Sequence, residues 1–531
     1  MTILYKRALL LAKVEDTFRT DAGPISDIAT FTFSGIDSTA DVDDTAETIT
    51  ITGHGMTIGS IPGPFQASID SGALPTGLAI STDYWLSVVD ANTVQIATSA
   101  ANAYAGTFID LTDAVGEFTL TPQDSHAVLI ADPTYSTDVT ILDRDNVSVH
   151  ISPDPGVAGR KIGSITFNHE VRHNGNLDGT VEGRLGRLLR GCGMSGTAIT
   201  TGGVLDDAPV PVNGPVTSWT FTDNDDYTGT LPRVLELTCT TGGAVGAAEV
   251  SVYSPAVGDQ AEINLAGATF TTGFALTGAG EGPATIDPVQ VGAAVLSIGD
   301  TWILNLTPPG FTYEPVSEDF DSITFHLYYN DDSGQSLRHI MTGSRGTFTV
   351  EGEAANFASF TFTFTGDFVS PTDVASLTSP TYENTIPPQV ELANLSIAGG
   401  QDDVEFDMCA QSFSIDMGND VVPRDCINEE QSLGGAIITD RNPTAGFNPE
   451  TVLEATHPFW GNLGSAARVS FSVRVGSEQG NVVTFWAPYA QYSSLPYSDR
   501  NGIRAYDVTA RLNTDLDVSG AGNDELRITF S

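Results

Sequence analysis

Apolar and polar residues alternate with a period of two wherever the longer segments of this chain can be read. Ile165, Phe167, His169 and Val171 fall on one face of an extended segment and Thr166, Asn168, Glu170 and Arg172 on the other. Phe360, Phe362 and Phe364 alternate with threonines, and Arg468 to Val475 is apolar at every odd position and polar at every even one. Tyr506, Val508, Ala510 and Leu512, then Leu526, Ile528 and Phe530, repeat the pattern near the end. Successive side chains of a strand point to opposite faces, so each segment predicts a half-buried strand. One stretch has a different period. From Gly183 to Gly193, Leu185, Leu188, Leu189 and Cys192 are spaced i, i+3, i+4, i+7, which predicts a helix with Arg184, Arg187 and Arg190 outside and glycines at its end. A curved sheet with one helix laid against it accounts for both periods.

Composition supports the same class. Gly 54 and Pro 28, with abundant Thr, Ser, Val and Phe, favour short strands joined by turns. A chain of 531 residues exceeds what one core fills, and about two to four domains are expected. The cations mark where they lie. No Lys or Arg occurs between Arg19 and Arg144, and Arg233 is the only one between Arg190 and Arg338. Two acidic insertions into a discontinuous core explain that distribution, with core segments at 1-29, 121-215 and 313-531 and inserted β modules at 30-120 and 216-312. The first module reads as strands at Thr48–Thr52, Tyr84–Val89 and Thr93–Ile96. The second reads as strands at Arg233–Thr238, Ala248–Tyr253 and Thr301–Leu306.

Net charge is -45, and the core alone holds 46 acidic and 21 basic side chains, about -25. Affinity for phosphates comes from Lys and Arg, so this balance argues against a free-standing nucleic-acid binder. Cys192, Cys239, Cys409 and Cys426 lack CxxC spacing and read as reduced, mostly buried thiols. The apolar run after Lys6-Arg7 is too short for a signal peptide and predicts a packed N-terminal element. No apolar run is long enough to span a membrane.

His169-Glu-Val-Arg-His173 is a literal HExxH. In a zinc protease a helix brings both imidazoles to one ion, but here the motif continues a strand, where positions four apart are separated by about 13 Å. It is read as a strand end. Acidic clusters at Asp41–Asp44, Asp223–Asp226 and Asn330–Asp332 lack EF-hand spacing and read as solvated turns. No GxSxG elbow or phosphate-binding GxxxxGK[ST] loop is present. The expectation is a non-enzyme without catalytic, cofactor-binding or metal residues.

Several ordered phrases resemble the tail tube, or major tail, proteins of long-tailed bacteriophages. They are Leu10–Asp21, the strand-to-helix unit from Gly159 to Gly193, Phe413–Arg424, Ile438–Asn448, and the close from Tyr497–Arg504 to Gly522–Leu526. Together they cover most of the core. Leu74–Leu78, Ser81–Tyr84 and Ile96–Asn102 look like small β modules of phage structural proteins. The resemblance implies a tail-tube-like β-sandwich or barrel core with one packed helix, carrying two inserted small β domains. It further implies a subunit that closes into rings, commonly hexameric, which stack into a conduit around a tape-measure protein and meet tail terminator and distal tail proteins. DNA would pass without specific binding, no membrane would be involved, and the place would be the virion tail, assembled in the host cytoplasm. Arg172, His173, Asn174, Asn176, Asp178 and Glu182, in the loop between strand and helix, are the candidates for contact between subunits. Another virion surface or decoration protein, or an adhesin, is the alternative.

Overall fold

The computed structural model describes residues 7–22, 33–54, 65–80, 82–98, 106–111, 116–122, 127–144, 154–175, 182–199, 233–244, 295–376, 385–391, 394–398, 406–429, 432–478, 480–514 and 522–531, with shorter pieces between them. The protein is mainly β. Its largest unit is one antiparallel sheet of seventeen strands that rolls into a barrel-like body. Four long strands form its spine, in the order Ala131–Leu142, Val157–Glu170, Ser359–Ala375, Gln335–Glu353. Their register runs Ser136 to Ser164, Ile165 to Phe364, and Phe362 to Phe348.

The alternation seen in the sequence is the reason this spine has an inner face. Ile165, Phe167, His169 and Val171 are all buried, and Phe360, Phe362 and Phe364 are fully buried on the next strand. Phe167 stacks on Phe364 and Phe362, and Phe325 and Phe348 complete the cluster. Burying each such side chain contributes about 1.5–3 kcal/mol, so this aromatic row fixes the register as well as stabilising the body. The N-terminal strand Ala8–Val14 packs here too, with Leu9 to Ala12 buried and its ladder running to Ile323–Asn330.

The first helix is Arg184–Gly191, and its four apolar positions Leu185, Leu188, Leu189 and Cys192 are buried as the spacing requires. Gly186 lies so close to Tyr313 that a Cβ there would sit 1.7 Å from the Tyr313 hydroxyl. One expectation fails here. Arg184 is buried, not outside, and its guanidinium donates to the Ala127 carbonyl at 2.8 Å, because the helix start is overlain by the 127–128 strand. A second helix, Phe459–Ser465, has no counterpart in the sequence reading. It is too short, and too interrupted by Gly461 and Gly464, for a helical period to show.

Val469–Val475 departs from the half-buried expectation as well. Ser470 and Ser472 on its polar face are buried along with the valines, and Trp486 donates from its indole to Ser470 Oγ at 2.9 Å. Of the closing strands, Val508–Leu512 keeps the expected single buried face, whereas in Arg527–Phe530 Thr529 is buried along with Ile528 and Phe530. Of the four cysteines, Cys192 and Cys239 are buried while Cys409 is exposed and Cys426 half-buried, all of them free, so half rather than most of the thiols are interior.

Residues 33–122 form a separate seven-stranded sheet whose hydrogen-bond ladders all close within the segment. Its own core holds Ile49, Phe65, Leu86, Ile96, Phe118 and Leu120. Between Gly203 and Thr307 lie further small sheets, the largest ordered around Arg233–Thr241, Glu249–Ser254 and Thr301–Thr307.

Candidate functional site

The HExxH segment is placed by the strand it ends. His169 is the penultimate residue of Val157–Glu170, and its Nδ1 lies 2.6 Å from the Glu170 carbonyl. His173 Nδ1 bonds the Gly480 carbonyl at 2.7 Å, and its ring stacks on Phe530. Burial pushes His169 down to about 3, with Arg172 adding to the effect, and pushes His173 down to about 4 despite the Gly480 bond. Both imidazoles are interior packing groups with backbone partners. Among the described residues no group of three or more His, Cys, Asp and Glu side chains is arranged to hold a metal ion. The acidic turns have local tasks. Asp331 accepts from the backbone of Ser333 and Gln335, Asp332 pairs with Arg7, and Asp43 accepts from Thr45 and Ala46. Asp223 ends a strand, and residues 224–226 lie outside the described residues.

The loop after the strand serves its own subunit at both ends. Arg172 is buried, with a guanidinium nitrogen 3.4 Å from the Thr385 carbonyl and 3.7 Å from Glu170. Glu182 accepts from Tyr313 at 3.2 Å and from Arg190 at 3.3 Å. Asn174 is half-buried against Gly183. Asn176 and Asp178 lie outside the described residues. Arg172, His173 and Glu182 each make bonds within their own chain.

A larger unpaired feature lies on the spine. Among the described residues Ala131–Leu142 has a ladder partner on one side only, Val157–Glu170. From Ser136 to Leu142 every residue is exposed, and Val139, Ile141 and Leu142 are among the exposed large apolar side chains, Ile141 at 65%. The ladder between Val157–Glu170 and Ser359–Ala375 stops at Ile162 opposite Asp367. Beyond that rung the sheet forks: Val157–Lys161 continues only against Val139–Leu142, while residues 368–375 continue against 335–341. The result is a twelve-residue edge whose outer half, among the described residues, continues beyond the last rung shared with Ser359–Ala375. An exposed edge of this length offers a row of backbone donors and acceptors to another chain. Its signal in the sequence is weak, because Tyr135, Thr137, Val139 and Ile141 alternate with polar residues but no Phe or Leu row accompanies them.

No family model matches the chain, and no curated protein matches it.

Proposed function

We propose that this chain is a virion structural protein that self-assembles into stacked, hexameric rings in the manner of phage tail tubes, with the free edge of Ala131–Leu142 as a lateral contact. The observation that carries the reading is that edge, the outermost strand of a four-strand spine, exposed from Ser136 to Leu142 and bearing apolar side chains there, on a protein of net charge -45. Edges of this kind favour aggregation unless a partner covers them, and an identical subunit is the partner always present at equal concentration. Heterologous contact that closes makes a ring, and repetition along the axis makes a tube. The acidic balance suits a conduit that must let DNA pass without retaining it. A tape-measure protein within the tube, with terminator and distal tail proteins at its ends, would be the partners, in a virion tail assembled in the host cytoplasm.

Negative-stain electron microscopy of the purified full chain tests this. Rings or hollow tubes of constant diameter are expected. Monomers at all concentrations would remove the tube reading and favour a decoration protein or adhesin, and a hydrolytic activity lost on chelation would favour an enzyme.

A further inference from the structure

The fork in the spine is crossed by one segment, Glu15 to Ala22, which ties together every element around it. Glu15, 8% exposed, accepts four hydrogen bonds: from Ser322 Oγ at 2.6 Å, Thr324 Oγ1 at 2.8 Å, the Gly343 amide at 2.7 Å and the Arg19 amide at 2.8 Å. Arg19 then reaches Asp367, the last residue before the strands part, and Glu429, at 3.1 Å, in the turn of the hairpin Asn419–Asp425 and Leu433–Arg441. Phe18 lies under the Arg345 guanidinium, 4.6 Å from its ring centroid, and Arg345 donates to the carbonyls of Phe320 and Ala436. At its far end the Ala22 amide donates to Thr324 Oγ1, and Asp21 meets His326 at 3.0 Å.

The elements being crossed are shaped for this passage. Gly343 has φ 59° at a bulge in Gln335–Glu353, and a Cβ there would lie 2.7 Å from Arg19 Cγ. Gly435 has φ 84°, and a Cβ there would lie 2.4 Å from the Phe18 ring. Both positions need a left-handed backbone and an absent side chain at once, which only glycine supplies. The hairpin held by Arg19 also touches the free ribbon, through the pair Arg160–Asp425 at 2.6 Å.

We infer that Glu15–Ala22 is a clamp that sets the angle of the fork, and thereby the direction in which the Ala131–Leu142 edge is offered to a second copy of this chain. Glu15, Arg19 and Asp367 are its positioning residues. The inference rests on the self-assembly reading for its consequence, since the angle between mating edges decides whether a repeated contact closes into a ring or runs on as a spiral. Its mechanical part stands without that reading. Glu15 supplies the fixed anchor, and the Arg19–Asp367 pair is the removable link.

The full chain carrying Arg19→Met, which keeps the alkyl stem, and the isosteric Asp367→Asn separate these parts. Hydrogen exchange is measured on dilute protein, followed by electron microscopy at assembly concentration. Amides of 131–142 and 157–161 are expected to exchange about tenfold faster in each variant, while 469–475 and 483–494 keep their wild-type protection. The double variant should show little gain over Arg19→Met, because that change already removes the partner of Asp367. Assemblies of the variants should have mixed diameters or open into spirals. Unchanged exchange in the ribbon overturns the clamp, and faster exchange with wild-type diameter overturns its control of closure. Should Arg19→Met fail to fold, Asp367→Asn reads the same link. If the wild type forms no assembly, the self-assembly reading fails while the exchange measurement still decides whether the clamp exists.

Discussion

Three of the buried histidines contribute a large part of this protein's response to acid. His457 is fully buried, with Nε2 3.0 Å from the Tyr492 hydroxyl and its ring stacked on Phe406, and burial pushes it down to about 4. His169 and His173 are held at about 3 and about 4. Above the ordinary value of 6.5 all three are neutral in the folded and the unfolded chain, so they contribute no pH dependence there. As pH falls below 6.5 the unfolded chain takes up protons that the folded chain refuses until about pH 4, and stability is lost across that window. Three such groups lower the unfolding free energy by roughly 6 kcal/mol between pH 8 and pH 5. Urea unfolding at the two values measures it. His457→Phe should reduce the difference by about 2 kcal/mol, and a free energy that stays flat from pH 8 to pH 5 would sink the argument. The residue identities alone did not reveal this. His169 could be assigned to an apolar face from its spacing, whereas the burial of His173 and His457 depends on Gly480 and Tyr492, which are distant in sequence.

At the scale of elements, what the sequence disclosed follows from which contacts are periodic. The faces of Val157–Glu170 and Ser359–Ala375 were legible because Ile165 and Phe167, and Phe360, Phe362 and Phe364, alternate with polar residues and enter one core. The buried polar face of Val469–Val475 was not, because a period of two reports one apolar face and is silent about what covers the other. Trp486, on the neighbouring strand opposite Ser472, donates to Ser470 on that face. The free edge was hardest to see, since no apolar burial marks it. Its proposed role can be tested with two neighbouring prolines. In an antiparallel edge strand, successive amides alternate between the ladder and the outside, so of Ser136 and Thr137 one donates to Val157–Glu170 and the other points outward. Ser136→Pro and Thr137→Pro are made as a pair. One should lower the melting temperature by removing a ladder bond. The other should keep wild-type stability and yet form no rings, because it blocks only the outer face. Normal assembly in the variant of unchanged stability would show that this edge is not the lateral contact.

For the whole molecule, the separateness of residues 33–122 has a physical consequence that does not depend on any assembly. Every ladder in that sheet closes on itself, its core side chains all come from within it, and Phe33 stands opposite Leu120, so the chain enters and leaves on adjacent strands about 5 Å apart. A segment that enters and leaves side by side can be inserted or removed without moving the ends it joins. The charge pattern points the same way: a stretch without Lys or Arg from Arg19 to Arg144 cannot rely on ion pairs of its own Lys or Arg residues, and some of its carboxylates instead accept from backbone and hydroxyl donors of the same segment, as Glu47 does from Leu111 and Asp70 from Thr119. Residues 33–122 expressed alone are therefore expected to unfold cooperatively on heating, with a near-ultraviolet signal from Trp85, whose ring packs beside Ala97, Ala103 and Phe108. The complementary chain, with Phe33 to Leu120 replaced by about four glycines, is expected to retain the thermal transition of the barrel-like body. A non-cooperative melt of the isolated segment, or loss of the body's transition on excision, would show that the two units depend on contacts across their junction. If both fold and the excised chain also forms rings, this module is dispensable for assembly, and the surface that builds the ring must lie in the remainder of the chain.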